Sequence, residues 1–211
     1  VQAQTPAGFI ENKNQWPEDV HFASRIPGGR MTLGSASFRY YFLDGAKLEA
    51  LHQGSHEPDG HSDSDHQVRG HAVFVDFPGA DTHAKLKPFG RSDAYYNYFL
   101  GDDLAKWASG AYAYDGVLYE SLYPGIDLKI YSAGENLKYD FIVAPGGDPS
   151  HIRIVYQGAD EIYLENGNLN VRTSLANTTE QKPVAWQFVD GKKIEIPSAF
   201  GLEGNVVTFE F

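Results

Sequence analysis

The dominant pattern along the chain is alternation of apolar and polar residues with period two. Leu137, Tyr139, Phe141 and Val143 are interleaved with Lys138, Asp140 and Ile142, and Ile126, Leu128 and Ile130 with Asp127, Lys129 and Tyr131. Alternation rich in aromatic and β-branched residues predicts half-buried antiparallel strands. Asn166-Gly167 separates Glu161–Glu165 from Asn168–Arg172, and Asp190-Gly191 separates Trp186–Val189 from Lys192–Ile196. Both dipeptides supply the positive φ values of a type I′ hairpin turn. With 22 Gly and 11 Pro in 211 residues, the chain reads as many short strands joined by tight turns. One short helix is expected, near Asp103 to Ala108, capped by Asp102 or Asp103. The fold class that follows is all-β, an antiparallel β-sandwich with at most one short helix.

The same text recurs. Val20-x-Phe22-x-Ser24-x-Ile26-Pro27-Gly28-x-x-Met31-x-Leu33 aligns without gaps on Val117-x-Tyr119-x-Ser121-x-Tyr123-Pro124-Gly125-x-x-Leu128-x-Ile130, at an offset of 97. Phe38, Tyr40 and Phe42 then match Leu137, Tyr139 and Phe141. Val73, Val75, Phe77 and Gly79-Ala80-Asp81 match Ile152, Ile154, Tyr156 and Gly158-Ala159-Asp160. Self-similarity of this kind predicts two related β units, residues 1–100 and 101–211, packed as one compact domain. Short strand-Pro-Gly-strand text also arises without duplication. In either case each Pro-Gly reads as a type II turn.

Charge and composition narrow the partners. Seventeen Lys and Arg stand against 28 Asp and Glu, a formal charge of −11, which argues against nucleic acid. No apolar run approaches the roughly 18 residues of a membrane helix, so no membrane insertion is expected. The absence of cysteine removes disulfides, thiolate metal sites and thiol catalysis. The opening Val1-Gln2-Ala3-Gln4-Thr5-Pro6 reads as a mature terminus left by signal-peptide removal or as a cloning boundary. The closing strand text at Val206–Phe211 reads as an edge inside a longer protein.

Three constellations could carry chemistry. His52, His56, His61, His66 and His71 fall in one stretch with Asp63 and Asp65 among them. Imidazole and carboxylate together suit a divalent metal, yet the spacings match no zinc signature, and the Gly, Pro and Ser between them read as a solvated loop inserted at 52–71. Any metal there would be adventitious, and no cofactor is expected otherwise. Glu120, Asp127, Asp140 and Asp160 could supply the facing carboxylates of glycan hydrolysis, although 28 acids make accidental pairs common. Trp16, Trp107, Trp186 and the Tyr95-Tyr96-Asn97-Tyr98 cluster, with Tyr95 and Tyr96 foremost in it, could stack on sugars, or fill a core. Among these, Trp16, in an early loop before Pro17, is the best placed to be exposed.

Several longer stretches carry a resemblance. They are Phe9-Ile10-Glu11-Asn12-Lys13-Asn14-Gln15, Asn97-Tyr98-Phe99-Leu100-Gly101 with Trp107, Leu122-Tyr123-Pro124-Gly125-Ile126-Asp127-Leu128, Lys138 to Ser150, and Pro183-Val184-Ala185-Trp186-Gln187. Together they resemble the N-terminal domain of secreted proteins of Bacteroidetes-like bacteria, which carry SBBP β-propeller repeats and gliding-motility or type IX secretion sorting domains. Trp186, where Tyr is commoner, and the His-rich insert depart from that pattern. The resemblance implies a secreted or outer-surface location, with downstream modules of the same chain and a surface glycan or protein as partners. It implies no established activity and brings no catalytic residues. The expected function is a non-catalytic extracellular module with a structural, adhesive or carbohydrate-binding role. The alternative is a polysaccharide-active or metal-dependent hydrolase.

Overall fold

The computed structural model describes residues 8–54, 67–99, 101–134 and 136–211. Its first strands are β1 (Phe9–Glu11), β2 (Phe22–Ile26), β3 (Gly29–Leu33), β4 (Ser37–Leu43) and β5 (Gly70–Asp76). A long ribbon follows, β6 (Lys85–Tyr98) and β7 (Ala108–Tyr123), then β8 (Ile126–Ala133), β9 (Asn136–Val143) and β10 (Ile154–Gln157). The chain continues with β11 (Glu161–Glu165), β12 (Asn168–Arg172), β13 (Asn177–Glu180), β14 (Ala185–Val189), β15 (Lys192–Ile196), β16 (Ala199–Glu203) and β17 (Val206–Glu210).

Twelve strands form one antiparallel network in the order β16-β17-β10-β5-β4-β3-β2-β1-β7-β8-β9, with β6 along the other side of β7. β11–β13 and β14–β15 form two small sheets. The large sheet doubles over at β7. The first half of β7 pairs with β1 (Phe9 with Tyr114) and its second half with β8 (Gly116 with Tyr131). This strand therefore belongs to both layers of a sandwich. Phe141 of β9 meets Phe77 after β5 and Phe209 of β17 edge to face, at 6.2 and 5.7 Å between centroids. The last strand thus lies over the other end of the sheet order without bonding to it, so the sandwich is not a closed barrel. One buried cluster draws on both halves of the chain, from Phe9 to Val207.

Gly116 sits where β7 changes layer. A Cβ there would come within 2.4 Å of the Phe89 ring, 2.5 Å of the Ile130 carbonyl and 2.7 Å of Tyr131 Cβ. Gly116→Ala is expected to cost about 1–3 kcal/mol through overpacking, read as a fall in the urea midpoint. An unchanged midpoint would show that the crossover has slack.

The turn expectations hold. Asn166 and Gly167 take φ 54° and 80°, Asp190 and Gly191 take 51° and 74°, and the matched Pro-Gly turns place Gly28 and Gly125 at 74° and 71°. The helix expected near Asp103 is a single 3-10 turn, Leu104–Lys106, with the Asp103 side chain accepting from Ala105 N–H. The α-helix, α1, lies instead at Gly45–Gly54. Asp44 caps it by accepting from Lys47 N–H at 3.2 Å, and Ala46-Lys47-Leu48-Glu49-Ala50-Leu51 are strong helix formers. The start of the His-rich insert is therefore helical rather than loop.

Candidate functional site

The long ribbon carries more than the core needs. Ile10, Ala111 and Ala113 are buried in a second small cluster, covered by Trp16, Tyr96 and Tyr98. This cluster lies on the face of β1, β2 and β7 defined by the row Ala23, Ile10, Ala113. Trp16 and Tyr98 meet edge to face at 5.5 Å.

A side-chain staple holds Trp16 there. Asn12 donates to the Trp16, Pro17 and Val20 carbonyls at 3.2, 2.9 and 2.6 Å and accepts from the Trp16 N–H at 3.2 Å. Gln15 donates to the Glu11 carbonyl at 2.7 Å and accepts from Lys13 N–H at 2.6 Å. Asn14 supplies a left-handed turn residue at φ 79°. The Glu-Asn-Lys-Asn-Gln text is therefore a loop-building device. Burial pushes the Tyr98 hydroxyl above its ordinary pKa and Tyr96 adds to this, while the charges of Arg25 and Arg30 oppose it.

Beside Tyr96 the β6–β7 ladder breaks. Arg91 pairs with Tyr114 and Tyr95 with Tyr112, so Ser92, Asp93 and Ala94 face Ala113 alone. Bulges of this kind re-aim side chains next to binding sites. The break leaves an open hollow of about 210 Å³, lined by Gly8, Ser92, Ala94, Tyr96, Ala113, Tyr114 and Asp115. It is smaller than the roughly 300 Å³ at which drug-sized pockets begin, and suits one small ring.

Of the aromatics singled out from the sequence, Trp16, Trp107, Tyr95, Tyr96 and Tyr98 reach this ribbon, though not as one platform, while Trp186 stands exposed on the β14–β15 hairpin. Trp16 and Tyr96 share the covered face. Tyr95, 58% exposed, lies on the opposite face as a strand neighbour must. There it meets Tyr112 edge-on at 6.2 Å, with Arg91 over the Tyr112 ring at 4.6 Å. Trp107 is at the tip, edge-on to Phe99 at 5.5 Å, its indole N–H donating to the Gly101 carbonyl at 3.1 Å. Tyr98, part of the tyrosine cluster read from the sequence, is the residue that joins Trp16 to the strand.

The metal reading fares differently. His56, His61, His66, Asp63 and Asp65 lie outside the described residues, and His52 falls in α1. In His71, Nε2 donates to the Gly158 carbonyl at 2.6 Å and Nδ1 accepts from the Ser174 hydroxyl at 2.9 Å. Both ring nitrogens are spent on tying β5 to the β10–β11 and β12–β13 turns. Among the described residues no group of three His, Asp or Glu could hold a metal. Of the candidate acids, Asp127 accepts from Ser121 N–H at 2.7 Å and Glu120 pairs with Lys87 at 2.6 Å.

A partly buried carboxylate lies elsewhere. Glu180 at the end of β13 accepts from the hydroxyls of Tyr139 on β9 at 2.6 Å and Tyr156 on β10 at 2.5 Å. Burial raises the Glu180 carboxyl above the ordinary range, and the two phenol bonds offset only part of that. The cluster joins the two layers and the small β11–β13 sheet.

A family model described as a domain of unknown function, DUF7948, matches residues 9–211. No curated protein and no solved structure matches the chain.

Proposed function

The chain belongs to the DUF7948 family, and from that premise we propose that it is a non-catalytic binding module of an exported bacterial protein, taking a glycan on the Trp16–Tyr96–Tyr98 face. The observation that carries this reading is the second aromatic cluster. It is assembled outside the sandwich core by a dedicated staple and set against a bulge-made hollow. Aromatic rings offer a sugar an apolar face, and the hydroxyls of Ser92 and Tyr96 offer its polar edge hydrogen bonds. The secreted location and the downstream modules as partners belong to the same proposal and rest on the sequence resemblance.

Titration with soluble oligosaccharides tests it. Tyr96→Ala is expected to weaken binding by about tenfold, roughly 1.4 kcal/mol, while Phe188→Ala on the distant β14–β15 hairpin leaves binding unchanged. Equal affinity for Tyr96→Ala and wild type would overturn the assignment of this face.

A further inference from the structure

We infer that Arg25 and Arg30 form an oxyanion subsite of this face, and that the glycan it takes is acidic, bearing carboxylate or sulfate groups. The inference rests on the glycan reading and adds the ligand's charge. Arg25 and Arg30 stand directly opposite each other across the β2–β3 pair, and like charges in that position repel. Both are exposed, and neither guanidinium bonds to a carboxylate among the described residues. Arg30 only overlies the Tyr41 ring, at 5.8 Å.

Three of the other arginines are neutralised, while Arg91, which overlies the Tyr112 ring, and Arg153 also lack a carboxylate among the described residues but stand singly rather than as a facing pair. Arg39 pairs with Asp19 at 2.7 Å, Arg69 with Asp44 at 2.8 Å and Arg172 with Glu161 at 2.7 Å. A chain with 28 acids against 17 bases has carboxylates in surplus, so an unpartnered arginine pair leaves its charge to an outside anion. Two adjacent guanidiniums present the planar, forked donors that carboxylate and sulfate accept.

The pair is also in the right place. Arg25 lies two residues beyond Ala23 on the same face of β2, and Ala23 pairs with Ile10 of the cluster that Trp16, Tyr96 and Tyr98 cover. Both arginines act electrostatically on the Tyr98 hydroxyl. Asp115 lines the hollow and would repel an anion there while accepting from sugar hydroxyls. The arrangement therefore sorts an acidic sugar, with its charged group on the arginines and its hydroxyls in the hollow. Repulsion from the net charge of −11 is screened beyond about 8 Å at physiological ionic strength, so it does not prevent an anion from reaching the arginine pair.

The test titrates wild type and R25Q/R30Q with hexagalacturonate, a heparin hexasaccharide, neutral cellohexaose and a single-stranded DNA 12-mer at 0.15 M salt. One of the two acidic sugars is expected to bind wild type at least tenfold more tightly than cellohexaose, and the better one identifies carboxylate or sulfate as the ligand group. R25Q/R30Q should erase that preference with no fall in melting temperature, since it relieves repulsion. Acidic binding that survives R25Q/R30Q, a large fall in its melting temperature, or DNA binding more tightly than both acidic sugars would overturn the inference. Cellohexaose bound through Tyr96 with no acidic preference would remove the arginine subsite and leave the glycan reading standing. No binding of any sugar would remove both.

Discussion

Glu180→Ala is expected to cost about 3–5 kcal/mol of folding stability, the usual consequence of removing one partner from a buried charged network. The carboxylate receives the Tyr139 and Tyr156 hydroxyls, and its loss leaves both phenols without an acceptor inside the sandwich. Each orphaned donor costs about 1–3 kcal/mol. The damage should be concentrated at the seam, because Tyr139 belongs to the terminal strand β9 and Tyr156 to β10 in the facing layer. Urea unfolding measures it, and a loss below about 1 kcal/mol would show that water replaces the carboxylate.

The same residue gives a pH dependence with a definite sign. Folding raises the Glu180 carboxyl above its unfolded value, because burial disfavours the charge. A carboxyl raised on folding contributes fully below its unfolded pKa, near 4.3, and loses that contribution as the pH climbs through the folded value. Relative to Glu180→Gln, which cannot ionise, wild type should therefore lose stability as the pH rises from about 4. A difference that stays flat from pH 4 to 8 would contradict the burial argument.

Tyr119→Ala is expected to cost about 4–5 kcal/mol, at the upper end of large-to-small core substitutions. Tyr119 is fully buried on the second half of β7, and its hydroxyl donates to the Gly34 carbonyl at 2.8 Å, after β3 in the other layer. Tyr119→Phe separates the two effects. It keeps the ring and removes the layer-to-layer bond, so about 1 kcal/mol should be lost. If Tyr119→Phe were as damaging as Tyr119→Ala, the hydroxyl rather than the ring volume would dominate the packing of the layers.

The local fold was legible wherever one strand carried its own period or one turn its own chemistry. β8, β9 and the hairpins at Asn166-Gly167 and Asp190-Gly191 are of that kind. α1 was legible too, in Asp44 followed by Ala46-Lys47-Leu48-Glu49-Ala50-Leu51, but its glycine ends and the adjoining histidines masked it. The β6–β7 ribbon was not legible as one element. Pro88, Gly90 and Gly110 interrupt its pattern, and the register breaks twice between Arg91 and Tyr98. Pairing of β6 along β7, and of β7 with β1 and β8 on its other side, rather than local propensity, keeps it extended.

The candidate site was half legible. Aromatic content pointed to Trp16 and to Tyr95, Tyr96 and Tyr98, and strand alternation already separates Tyr95 from Tyr96. Nothing local reveals that Trp16 meets Tyr98 across more than eighty positions of chain. Likewise Arg25 faces Arg30 only once the Pro27-Gly28 turn has fixed the β2–β3 register. Glu180 was invisible for the same reason, since its two tyrosines lie 41 and 24 residues away.

The three tryptophans, Trp16, Trp107 and Trp186, give a direct readout of where ligand lands. In a ¹H–¹⁵N spectrum each indole N–H gives one signal, and adding whichever of hexagalacturonate and the heparin hexasaccharide binds more tightly is expected to shift the Trp16 signal and leave that of Trp186 in place. A Trp186 shift with Trp16 unmoved, or no shift of either at saturating sugar, would contradict the account.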